Sequence, residues 1–192
     1  DENGLRVCQT RLNTLLQETL TERALHLPLA YTLSWLKVSG GNSVLAPWVR
    51  LQFPAAARMI DEFRNHDCGN SACHYCQTTL NPRHQLKRYF GFDQFRTIEN
   101  IAGGQEAIVQ AGMAGENVLT ILATGGGKSI CFQLPALNRY YRNGGLTIVI
   151  CPLQSLMMDQ VKNLQDKGIS GVDTLNGMRS ITERADILDR IA

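Results

Sequence analysis

The stretch from Asn117 to Leu134 restricts the fold more than any other part of the chain. Asn117-Val118-Leu119-Thr120-Ile121-Leu122 is apolar and β-branched, which predicts a buried strand. Ala123-Thr124-Gly125-Gly126-Gly127-Lys128-Ser129 follows, and Ile130-Cys131-Phe132-Gln133-Leu134 can begin a helix. Strand, glycine loop and helix in that order form a cradle for a triphosphate. Glycines let backbone N–H groups approach phosphate oxygens because no Cβ intervenes. The helix N-terminus adds the positive end of its dipole. Lys128 then reaches the β- and γ-phosphates, and the Ser129 hydroxyl holds Mg2+. The general phosphate-loop pattern asks for Gly at position 122, where Leu stands. The three glycines next to the lysine keep the chemistry.

The segments around this loop predict an α/β fold. A helix is expected over 98–112 and another from 128 to about 142. A strand is expected over Leu146-Thr147-Ile148-Val149-Ile150-Cys151, then a helix from about 153 to 167. A short strand at Val172-Asp173-Thr174-Leu175 and a helix over 181–191 complete the series. Strands alternating with helices imply a parallel sheet covered on both faces. Asn143-Gly144-Gly145 and Lys167-Gly168 read as helix stops.

The region before this is different. Residues 5 to 38 read as helical, with Leu12, Leu15, Leu16 and Leu20, then Leu29, Leu33 and Leu36, at helical spacing. Pro28 is expected to separate the two stretches, and Gly40-Gly41-Asn42 to end the second. Residues 47–64 form a further helical candidate. The expected organisation is therefore a helical region at 1–65, a Cys/His-rich loop at 66–84 and an α/β lobe at 86–192.

Composition excludes some classes of function. A net charge of +2 offers no polycationic surface for nucleic acid over the chain as a whole. No apolar run is long enough to span a bilayer. The acidic, polar start Asp1-Glu2-Asn3-Gly4 does not read as a secretion signal, and a start without Met reads as a processed or excised piece. Six scattered cysteines do not form the framework of a small secreted domain, which makes the cytosol, or the nucleus of a eukaryote, the expected compartment.

Three blocks together resemble the first motor domain of the RecQ-like helicases of superfamily 2. Phe90-Gly91-Phe92-Asp93-Gln94-Phe95-Arg96, with Gln105-Glu106-Ala107-Ile108, is similar to that family's adenine-recognition motif. Ala123-Thr124-Gly125-Gly126-Gly127-Lys128-Ser129 and its helix are similar to motif I, in which the first loop glycine is often absent. Cys151-Pro152-Leu153-Gln154-Ser155-Leu156-Met157-Met158-Asp159-Gln160-Val161 is similar to motif Ia. The resemblance covers about residues 86 to 192. It implies a RecA-like lobe that binds ATP and Mg2+ through Phe92, Arg96, Gln105, Thr124, Gly125, Gly126, Gly127, Lys128 and Ser129. Lys128 and Ser129 would be its catalytic pair. It also implies single-stranded or partly duplex DNA along Ser155 and Gln160, and 3′-to-5′ movement. The chemistry agrees: Phe92 offers a ring for stacking, and Gln105 a donor and an acceptor for an adenine edge. Residues 97–104 lengthen the family's usual Arg-to-Gln spacing, which indicates a short insertion.

A complete motor also needs an acidic motif after a later strand, an arginine finger and a second lobe. No Asp-Glu pair follows residue 128. Asp61-Glu62 precedes the loop and lies in a helical pattern. The chain therefore reads as part of a longer helicase, binding nucleotide weakly and hydrolysing it poorly alone. Two other readings stand beside this one. One is a superfamily 2 ATPase that remodels protein–DNA or RNA complexes without unwinding. The other is a non-enzymatic, metal-stapled DNA-binding module.

His66-Asp67-Cys68-Gly69-Asn70-Ser71-Ala72-Cys73-His74-Tyr75-Cys76 has the ligand density of a tetrahedral zinc site. Cys68, Cys73 and Cys76 are the expected ligands. His66 is carried as the fourth, with His74 and His84 as alternatives. An iron–sulfur cluster is the rival, because the Cys-x4-Cys-x2-Cys spacing resembles that of plant-type ferredoxins. Its fourth cysteine must come from far away, and Cys8 serves only if the N-terminal region folds back.

Overall fold

The computed structural model describes residues 7–38, 45–99 and 101–191. It forms two units, residues 1–145 and 146–192. The first unit begins with α1 (Gln9–Thr21), a single 3-10 turn at Arg23–Leu25 and α2 (His26–Val38). The break falls at Glu22, before Pro28. Pro28 instead occupies the first turn of α2, where a missing N–H costs nothing. The Leu20 side chain and the predicted stop Gly40-Gly41-Asn42 lie outside the described residues.

The helix expected over 47–64 is two, α3 (Pro47–Gln52) and α4 (Pro54–Asn65). Pro54 explains the split: proline disfavours helical geometry at the preceding Phe53, which takes φ −126° and ψ 64°. Leu12, Leu29, Leu36, Met59 and Phe63 form the core between α1, α2 and α4, and Trp35 packs against it. Leu45, Val49 and Ile60 form a second, smaller cluster.

A π-helical turn at Cys76–Leu80 leads into α5 (Pro82–Phe90). The helix expected from Ile98 starts late, as α6 (Gly104–Ala114), because Gly103 and Gly104 adopt φ 74° and 57°. Then comes α7 (Lys128–Asn143), closed by Gly144 at φ 67° as predicted. α6 and α7 pack closely at one point: a Cβ on Gly112 would stand 3.0 Å from Cγ of Pro135, inside α7. Leu86, Phe90, Val109, Met113, Leu134 and Leu137 are buried where these helices are. The second unit carries α8 (Gln154–Gln165) and α9 (Ile181–Ile191), with Leu164, Ile169 and Ile187 buried.

Among the described residues the predicted parallel sheet is not formed. No strand occurs among the described residues, although 118–122, 146–151 and 172–175 have strand sequences. Leu119 is 91% exposed and Ile150 94% exposed, in segments whose pattern demands burial on both faces. A strand exists only through its ladder, and these segments have no hydrogen-bonded strand neighbour among the described residues.

Candidate functional site

The glycine loop runs directly into α7, so Lys128 and Ser129 occupy the first two helical positions. Gly125 and Gly127 take φ 81° and 76°, left-handed values that suit glycine and turn the loop tightly. Gly126 N–H donates to Ala123 O at 3.0 Å. Lys128 Nζ folds back over the loop and donates to Leu122 O (2.7 Å) and Ala123 O (3.1 Å). Thr124 lies in the exposed turn before Gly125. A helix N-terminus, an ammonium and a hydroxyl together are groups that could hold a polyphosphate with its cation.

Arg96 and Gln105 are fastened to this loop. The Arg96 guanidinium donates from Nη1 to Gly125 O at 2.7 Å, and Gln105 Nε2 donates to Gly127 O at 2.8 Å. The two are also joined to each other. Arg96 N–H donates to Gln105 Oε1 at 3.2 Å, and Gln105 N–H donates to Arg96 O at the same distance. Gln105 is 1% exposed, and a Cβ at Gly127 would come within 2.5 Å of its Nε2. Both groups of its amide are thus engaged within the protein, and Gln105 latches the loop. Beside Arg96 lies a cleft of about 500 Å³, walled by Phe95, Thr97, Ile98 and Glu106. Phe92 is about half exposed, on the segment following α5. In the second unit, Ser155 is exposed and Gln160 half-buried, both on α8.

The cysteine loop is ordered by its own polar groups. Asp67 Oδ1 accepts from Gly69 N–H at 2.6 Å, and Asn70 Oδ1 from Ala72 N–H at 2.9 Å. Cys68, Cys73 and Cys76 are brought together. Cys8 joins them, and the four sulfurs lie within 4.8 Å of one another. His66 does not belong to the group; its Nε2 stands 3.1 Å from Asp61 Oδ2. Cys8 and Cys76 are fully buried and Cys73 nearly so. All six cysteines are free thiols. Burial pushes the Cys8 and Cys76 thiols up. Burial acts the same way on Cys68, but hydrogen bonds from the Asn70 backbone, Thr10 and its neighbouring thiols bring it down to about 7.

Sequence reading missed the connections that hold this loop in place. Cys8 caps α1, accepting from Arg11 N–H at 3.4 Å, while Cys8 N–H donates to Phe63 O at 3.1 Å. Arg11 clamps α1 to the loop by donating to His66 O (3.0 Å), Asp67 O (2.6 Å) and Glu62 Oε2 (2.6 Å). Arg142, at the far end of α7, donates to Arg64 O at 2.6 Å, and Asn138 donates to Thr79 O at 2.8 Å. Both guanidiniums are buried, which lowers the basicity of Arg64 to about 10 and also lowers that of Arg142. The sequence placed Cys8 inside an expected helix and offered it only as a distant fourth cysteine; its place directly before α1 was not legible.

Comparison with known proteins agrees with the loop. Residues 103–191 match the DEAD/DEAH box helicase family. The chain is 41% identical over 106 residues to the ATP-dependent DNA helicase RecQ of Haemophilus influenzae, covering 55% of this chain and 15% of that protein. It is 44% identical over 101 residues to RecQ of Bacillus subtilis, covering 52% and 16%. With the ATP-dependent DNA helicase Q-like 2 of Arabidopsis thaliana it shares 47% over 81 residues, covering 42% and 10%. The chain thus spans less than a fifth of the length of these relatives. No solved structure matches it. The part of the chain that carries the glycine loop is therefore similar to the DEAD/DEAH box helicase domain and to the RecQ helicases.

Proposed function

We propose that this chain supplies the ATP-binding part of a RecQ-type DNA helicase or translocase that moves 3′ to 5′ on single-stranded DNA. The observation that carries the reading is the latch. Arg96 and Gln105 come from outside the glycine loop, and each bonds a different carbonyl of it. Such bracing fixes the loop's N–H groups before a ligand arrives, which is how preorganised dipoles favour a phosphate. Lys128 is held on Leu122 O and Ala123 O, and exchanges these carbonyls for phosphate oxygens when nucleotide binds. Ser129 is the hydroxyl that would hold the accompanying Mg2+. Phe92, about half exposed, is the proposed ring for stacking on the base.

Ser155 and Gln160 are the proposed contacts to the DNA backbone, which position a strand without reading its sequence. With no Asp-Glu pair after Lys128, these 192 residues alone bind ATP and turn it over poorly. The second motor lobe is the proposed partner in the longer protein. The bacterial nucleoid, or the nucleus of a eukaryote, is the proposed place of action. No helix among the described residues is long and apolar enough to cross a membrane.

The test is ATP hydrolysis by the longer protein with and without single-stranded DNA, then strand separation on duplexes with a 3′ or a 5′ tail. DNA-stimulated turnover, abolished by Lys128→Ala, with unwinding of the 3′-tailed duplex only, is expected. DNA-stimulated turnover with neither duplex opened would favour a remodelling ATPase. No turnover would leave a nucleic-acid-binding module.

A further inference from the structure

Four cysteines from two distant parts of the chain meet below the N-terminus of α1. Cys8 comes from the residue before that helix, and Cys68, Cys73 and Cys76 from the loop sixty or more residues later. We infer that these four thiolates bind a single tetrahedral zinc ion, with Cys8 and not a histidine as the fourth ligand.

The sulfur spacing favours one ion. Four sulfurs each about 2.3 Å from one zinc stand about 3.8 Å apart along the edges of a tetrahedron. Here Cys8 Sγ and Cys73 Sγ are 3.8 Å apart, Cys68 Sγ and Cys76 Sγ are 3.6 Å apart, and no pair exceeds 4.8 Å. An iron–sulfur cluster divides its four cysteines between two or more irons and so spreads them around a larger body than one ion. The same spacings are far beyond a disulfide bond of about 2.05 Å.

The surroundings fit the charge of such a centre. Zinc with four thiolates carries two net negative charges. Tyr75 packs against the cysteines, and its hydroxyl donates to Arg64 O, which also accepts from Arg142. Arg64 and Arg142 are both buried, and Arg64 Nη2 and Arg142 Nε have no hydrogen-bond partner among the described residues. Two buried cations lacking full hydrogen bonding are costly without nearby negative charge. Asp61 acts on Arg142, and a dianionic centre against Tyr75 would add to it.

The position gives the metal a task. Arg142 belongs to α7, the helix whose opposite end carries Lys128, and Asn138 of the same helix donates to Thr79 O in the turn after the last cysteine. The zinc centre therefore ties α1 and α4 to the turn on which the rear of the phosphate-loop helix rests. It is a structural staple with no open coordination position.

The experiment is elemental analysis and zinc-edge X-ray absorption on the full chain purified without chelator. About one zinc per chain with four sulfur neighbours is expected. Cys8→Ser should lower zinc retention by at least tenfold, while His66→Ala should leave it unchanged. Three sulfurs and one nitrogen around zinc would overturn the assignment of Cys8. Brown protein containing iron, or protein without metal that takes up no added zinc, would overturn the centre itself. Should Cys8→Ser fail to fold, the absorption spectrum of the unaltered protein still decides.

Discussion

The glycine loop and the cysteine loop are both short polar turns with chemistry, yet they depend on the chain in opposite ways. The glycine loop is local: its cradle lies within 122–129, and its two braces come from 96 and 105. The cysteine loop closes only when Cys8 arrives from sixty residues away. A local site keeps its shape through backbone conformation. A distant one depends on what joins its parts. The two should therefore respond differently to damage.

The largest expected effect is in the cysteine loop. Cys73→Ser/Cys76→Ser should remove the metal and, with it, cooperative unfolding of residues 1–145, measured by circular dichroism on heating. A structural zinc centre contributes on the order of 10 kcal/mol, more than most small domains have to lose. A melting transition within a few degrees of the unaltered protein would break the contrast with the glycine loop.

Gly127→Ala should act on the glycine loop alone. Its Cβ would meet Gln105 Nε2 at 2.5 Å from a left-handed backbone. A cost of about 1–3 kcal/mol is expected in chemical denaturation, with a loss of ATP affinity and no loss of metal. Arg142→Met tests the link between the two regions. Removing its donation to Arg64 O should cost only about 1–2 kcal/mol, because the loss of a buried guanidinium with an unpaired Nε offsets part of it. An equal fall in ATP affinity would show that the two loops are more strongly coupled than the contrast allows.

The smallest effect concerns the second unit, which belongs to neither loop. Burial raises the Asp173 carboxyl, but Arg190, the Thr174 N–H and Arg179 outweigh it, and the group lies below its ordinary range. A depressed carboxyl contributes stability above its unfolded value and loses it as pH falls through the folded one. Asp173→Asn should thus cost a few tenths of a kcal/mol at neutral pH, discounted for exposure, and nothing once the carboxyl is protonated. Denaturation midpoints of the two proteins against pH should converge in acid.

Sequence made the local features legible and the shared ones not. α9 and the Gly144 stop follow from helical periodicity and a glycine that closes a helix, both properties of a few adjacent residues. Pro54 split a helix for an equally local reason that the pattern of apolar residues concealed. The strands at 118–122 and 146–151 have the composition of a buried sheet, but a sheet is a relation between segments, and composition cannot provide the neighbour. Gln105 is expected from the sequence to meet an adenine edge. Its partners proved to be Arg96 N–H and Gly127 O, because which face of a side chain meets the loop depends on tertiary packing. Cys8 was legible only as a conditional fourth ligand, because whether the N-terminal region folds back onto the loop is also a relation between distant segments.

The most direct test of the central claim is a titration of Mg·ATP into the 192-residue chain, followed by calorimetry, for the unaltered protein, Lys128→Ala and Gln105→Ala. Saturable binding at one site, abolished by Lys128→Ala and weakened about tenfold or more by Gln105→Ala, is expected of a phosphate loop held by a latch. Binding that neither substitution changes would place the nucleotide elsewhere and contradict the account.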